Sequence, residues 1–173
     1  MLNYDHLLEY TDWQRDSWEK WFTRQGGSAL AVSTGPHGDG RLDTVGQVVR
    51  HIFSAETRYV ERMKDQPLSD TSVVPADDIA ALFAFGRASR SALRSFIATL
   101  PSDQVDVPRD LTIVDRTLRL TPRKILVHVV VHEIRHWAQV ATLLRLQGMN
   151  VEFHDFLFSP TMAGKAAVGD GRG

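Results

Sequence analysis

The chain has 173 residues, of which 43% are hydrophobic and 24% charged, with a formal net charge of −1, values that suit one globular domain with a sizeable core. A broad nucleic-acid surface is excluded, since Arg116, Arg119, Arg123 and Lys124 have Asp110 and Asp115 close by and phosphate binding needs concentrated positive charge. There is no cysteine, so disulfides and thiolate chemistry are out, and a bound metal must use His, Asp, Glu or water.

In chain order, residues 3–25 set Leu7, Leu8, Trp13, Trp18, Trp21 and Phe22 at helical spacing, and Gly26-Gly27 ends that helix. Residues 33–40 are glycine-rich and read as a loop. Thr44 with Gln47 predicts a capping box opening a second helix that runs to about residue 64, with Val45, Val48, Val49, Ile52, Phe53 and Val60 facing inward. Pro67 and Pro75 bracket the next connection. Asp77 and Asp78 suit the start of a third helix over 80–100, because carboxylates complement the helix dipole there.

Residues 105–120 carry short, partly alternating apolar patterns, which predict an extended connection or small hairpin. Thr121-Pro122 opens a fourth helix as N-cap and first residue, and Gly148 stops it. The expected fold class is all-α: a four-helix bundle, roughly 30 Å long, with a long and partly extended connection between helices 3 and 4. The domain is expected over residues 1–160, followed by a flexible tail over 161–173 that is small and Gly-rich. Val151, Phe153, Phe156, Leu157 and Phe158 are apolar enough to pack back on the helices.

Met1-Leu2-Asn3-Tyr4-Asp5-His6 lacks the basic and apolar regions of a secretion signal. No stretch is long and uncharged enough to cross a bilayer. The expectation is a cytoplasmic protein with neither membrane nor nucleic acid as partner.

The chemistry concentrates in the fourth helix, where His128, His132 and His136 recur every four residues. Each such step advances about 6 Å and drifts about 40° round the helix, leaving neighbours about 5–6 Å apart at Cβ. Two imidazoles so spaced can close on one ion, but three drift too far. The spacing therefore offers His128 with His132, or His132 with His136. Ile125, Val129, Trp137, Val140, Leu143 and Leu144 accompany the stripe and turn it toward the core.

His132-Glu133-Ile134-Arg135-His136 also fits HExxH, in which the glutamate is a general base. The longer metzincin pattern fails, because Gln139 and Thr142 stand where Gly and His are required. Glu133 then reads as an exposed residue or as one supporting the ligands. Trp13, Trp18 and Trp21 read as core or dimer contacts, Arg87, Arg90 and Arg94 as a solvated face, and His6 and His37 as surface residues. His154 lies where the tail can fold over the site.

Two blocks carry a family resemblance: residues 44–56, centred on His51, and residues 126–139, continuing into Leu143-Leu144-Arg145 and Gly148. With their separation and the four helices, the chain resembles the DinB/YfiT-like superfamily over nearly its whole length. The resemblance implies that His51 joins His132 and His136 on one metal ion, leaving His128 outside the ligand set. Where the family often has Arg-Gly before the glutamine that follows its last ligand, this chain has Trp137-Ala138 before Gln139.

Three imidazoles leave one or more coordination positions open, the mark of a reactive site. They suit zinc, nickel, iron or copper, and the resemblance favours zinc or nickel. It also implies a metal-dependent transferase or isomerase using a low-molecular-weight thiol, such as mycothiol or bacillithiol, on a small-molecule substrate, and it is compatible with a homodimer. The alternatives are a metal-dependent hydrolase and a non-catalytic metal-binding stress-response protein.

Overall fold

Each long helix begins where a polar side chain satisfies first-turn N–H groups that have no partner within the helix. In the computed structural model, which describes residues 3–37, 40–113, 115–152 and 154–162, α1 spans Tyr4–Gln25, α2 Val45–Met63, α3 Ile79–Thr99 and α4 Pro122–Leu146. Asn3, Thr44, Asp78 and Thr121 are the respective N-caps. His6 is half-buried and completes the α1 cap by accepting from the Asn3 N–H, so it is not simply a surface residue. At α2 the Gln47 side chain accepts from the N–H of Asp43, one residue before the cap, at 2.7 Å. Gly26 and Gly148 end α1 and α4 with φ of 79° and 74°, values that glycine adopts without strain.

The expectation of an all-α chain holds only in part. The chain is mainly helical, but an antiparallel hairpin of β1 (Arg109–Ile113) and β2 (Arg116–Leu120) interrupts it between α3 and α4. Leu111 is buried under this hairpin, whereas β2 is almost entirely exposed. The residues expected to fold back after α4 also divide. Val151 is buried and Phe156 sets an edge against Tyr10, but Leu157 is 81% exposed and Phe158 63%. They share one 3₁₀ turn with Phe156, whose residues point about 120° apart, so the three side chains cannot all face the helices. Phe153 and residues 163–173, hence nearly all of the expected tail, lie outside the described residues.

α2 packs against α3 and α4, and α1 packs against the same two. The core has two halves. One holds Trp18, Trp21, Phe22, Phe53, Phe83 and Trp137. The other holds Leu8, Val60, Leu93, Phe96, Ile125 and Val129. The order of these residues along each helix sets its direction: α1 and α4 run from the second half to the first, while α2 and α3 run the opposite way. Two consecutive helices with the same direction need a return connection. Residues 64–78 supply it as a strap along α2, with Ser69 bonded to Glu61 and the Ser72 and Val74 carbonyls accepting from Arg50.

Between the two apolar halves lies a layer of buried charge, with one member from each helix. Arg15 of α1 donates Nε and Nη2 to the two Glu133 oxygens of α4 at 2.7 and 2.8 Å, and Nη2 also to Glu56 of α2 at 3.0 Å. Arg90 of α3 donates to Glu133 at 2.7 Å, with its Nε 3.2 Å from Glu56. Ser89 and Trp137 complete the two carboxylates at 2.6 and 3.1 Å. Glu133 is 1% exposed, against the reading of it as an exposed residue, and Arg90 is buried rather than on a solvated face. Arg87 and Arg94 are exposed and pair with Glu19 and Asp12. Burial pushes the Glu133 carboxyl up, but Arg15 and Arg90 outweigh it and hold the group below its ordinary value.

Replacing one carboxylate of this layer leaves its two guanidiniums facing a single buried carboxylate. Glu133→Gln should therefore lower the unfolding free energy by about 3–5 kcal/mol, measured by urea denaturation. Gly86 is equally exacting, because a Cβ there would lie 2.8–2.9 Å from the Phe53 ring. Gly86→Ala should destabilise by about 1–3 kcal/mol through overpacking, read as a lower melting temperature.

Candidate metal centre

One face of α4 packs on α2. His132 and His136 lie one turn apart on it, and His51 comes across from α2. Their ring centroids are 4.4 Å apart within α4 and 5.0 Å from His51 to each partner. One nitrogen from each ring lies within 4.8 Å of the others. Tetrahedral zinc with 2.0–2.1 Å bonds to nitrogen needs donors about 3.4 Å apart, so small side-chain movements close the set. His136 is buried, and His51 and His132 are half-buried.

Burial lowers the His132 pKa to about 3, and His136, His51, His128 and Arg135 push the same way. The imidazole is therefore neutral at physiological pH, the form that donates a lone pair to a metal. Gln139 approaches His136 from outside, with its Oε1 2.9 Å from Nδ1. An amide oxygen only accepts, so Nδ1 carries the proton and Nε2 is the lone-pair nitrogen. This is the support that metal-ligating histidines commonly have. The donor set fits a divalent ion: three imidazole nitrogens within reach of one point, with the His132 ring neutral and the His136 ring oriented.

Of the two pairs that spacing allowed, the structure brings His132 and His136 to His51. His128 is exposed one turn away, with its Nε2 3.1 Å from the Tyr59 hydroxyl. Glu133 is turned into the charge layer and is no base for this site. His154 does not cover the trio; its ring packs on Trp18 at 4.6 Å and on Trp13 at 6.1 Å. Trp18 and Trp21 are core and Trp13 is half-buried. The His37 side chain lies outside the described residues.

Sequence reasoning missed the contact of Gln139 with His136, although a glutamine three residues after a ligand stands on the same helix face. It also missed the guanidiniums beside His51. Arg50 and Arg58 line a cavity with it; Arg58, seven residues on, lies two turns along the same face of α2, and Arg50 reaches the cavity from about 100° round the helix.

Among the described residues, no helix is long and apolar enough to cross a membrane. None of the curated proteins compared matches the chain. A solved structure, that of a DinB-like protein from Bacillus cereus ATCC 10987, superposes with a TM-score of 0.61 at 18% identity, covering 85% of this chain and 94% of that one. At that identity the match speaks for the fold. The profile of the DinB family matches residues 1–170, nearly the full length and both histidine-bearing helices: the chain belongs to the DinB family.

Proposed function

We propose that the protein binds one divalent metal ion through His51, His132 and His136, and that it is a metal-dependent enzyme of the low-molecular-weight-thiol S-transferase or isomerase type. The observation that carries the reading is the convergence of three ring nitrogens from two helices within 4.8 Å. The reading takes the four helices as a four-helix bundle with the site between two of them, and zinc or nickel as the ion.

The chain's own groups define what such a site does. His51, His132 and His136 hold the ion as neutral donors, and Gln139 fixes one ring. The ion supplies Lewis acidity, which favours loss of a proton from a thiol or water held at an open position. Tyr59 and His128, paired one turn from His132, border the approach along α4. The geometry supports the thiol reading over hydrolysis of the HExxH kind, because the glutamate such a mechanism needs is buried between Arg15 and Arg90.

Wild-type protein should take up about one equivalent of zinc or nickel, measured by calorimetry and elemental analysis, and melt at a higher temperature with it. Ligand linkage gives about 2.7 kcal/mol when the ion stands at 100 times Kd. His51→Ala and His132→Ala should each abolish tight uptake and that thermal shift. Equal affinity in His51→Ala would refute the assignment of α2 to the site.

Metal-loaded protein should also conjugate or isomerise model electrophiles only when a small thiol is present, with loss of at least about a hundredfold in His132→Ala, in line with lost transition-state stabilisation of a few kcal/mol. Turnover without thiol would favour the hydrolase. Equal rates in wild type and His132→Ala would favour a non-catalytic protein.

A further inference from the structure

His51 touches His132 and His136, and it also lines a cavity of about 160 Å³ with Gln47, Arg50 and Arg58 of α2 and Thr71 and Ser72 of the strap. Among the described residues, no carboxylate lines this cavity. Arg58 follows His51 by two helical turns, and side chains on a helix lean toward its N-terminus, so Arg58 reaches back toward the histidine. Its Nε is buried without a hydrogen-bond partner. Arg50 donates through Nη1 to the Ser72 and Val74 carbonyls at 3.0 and 2.9 Å, which anchors its charge without neutralising it.

Several arginines elsewhere are neutralised. Arg24, Arg87, Arg94, Arg109, Arg119 and Arg123 each hold a carboxylate. The acid beside the cavity is Asp70, which lies near enough for both guanidiniums to act on it. Its oxygen instead accepts from the Ser72 N–H and hydroxyl at 2.9 and 2.5 Å, and it pairs with neither arginine.

A divalent ion bound by imidazoles alone keeps its whole charge, and Arg50 and Arg58 add theirs in the cavity on the other side of His51. Such an excess, which Asp70 offsets only from outside the cavity and without an ion pair, attracts an anion from solution. A guanidinium fork matches the planar geometry of a carboxylate in particular. We infer that this cavity is the anion-binding arm of the site: the small molecule that reaches the trio carries a carboxylate, held by Arg58 with Arg50 and Gln47 beside it, while its reactive atom lies at the histidines. The inference rests on the metal reading of the trio. The cavity volume suits a carboxylate on a short chain rather than a nucleotide.

The test compares two thiols of similar length on cobalt(II)-loaded protein: 3-mercaptopropionate, which has the carboxylate, and 2-mercaptoethanol, which lacks it. Binding is followed by the sulfur-to-cobalt absorption band, so turnover is not needed. Wild type should prefer the acid by about tenfold or more, the size of one charge-assisted hydrogen-bonded contact. Arg58→Gln should lose that preference while retaining cobalt uptake and its affinity for 2-mercaptoethanol, and Arg58→Lys should recover part of it. Circular dichroism melts establish that both variants are folded.

Equal affinity of wild type for the two thiols overturns the inference, as does a preference that survives in Arg58→Gln. Failure of wild type to take up cobalt appears earlier, at the loading step. It overturns the metal reading and this inference with it.

Discussion

Arg15, Glu56, Arg90 and Glu133 meet in the middle of the protein, one from each helix, and the rest of the structure is arranged around that meeting. Burying two guanidiniums and two carboxylates costs several kcal/mol per ion before their attraction is counted, so such a layer need not be more stable than an apolar one of the same volume. Its effect is on register. Leucines facing leucines tolerate a slip along the helix axis, whereas a one-turn slip here would strand a charge in the core. Glu56 follows His51 by five residues and Glu133 follows His132 by one. The layer that aligns the helices therefore also sets the height at which α2 and α4 present their imidazoles to each other.

Helix starts and stops were legible because they are local. Asn, Thr and Asp caps, Pro122 at the first position of α4 and the terminal glycines act within a few residues of themselves. The pairing of β1 with β2 was visible for the same reason. The charge layer was not read, because arginine and glutamate are surface residues by default and their partners lie on other helices. A signal was nevertheless present in the helical phase. Glu133 lies four residues after Val129 and four before Trp137, both core residues. Arg90 likewise stands between Phe83 and Leu93 on the inward side of α3. A charge in phase with an apolar stripe is buried, and a buried charge implies a partner.

The candidate site shows the same division. His132 and His136 could be paired from their spacing alone, since both are on α4. His51 could not, because nothing within α2 points to α4; the family resemblance placed it there, and its ring lies 5.0 Å from those of His132 and His136. The strap over 64–78 was less visible still. Bracketing prolines mark a connection, but they do not reveal that it runs back along α2. That return course places Thr71 and Ser72 over the face that carries His51 and leaves a cavity between them.

Neighbouring residues on α4 serve opposite ends: Glu133 turns into the charge layer, and His132 turns to the trio. The trio and the charge layer thus draw on different side chains of the same helices. A scaffold divided in this way can exchange or abandon its chemistry over evolutionary time while its backbone stays the same. Two chains with this architecture can therefore agree closely in helix placement and differ entirely in what they do, and the positions of the trio are where that divergence would be recorded.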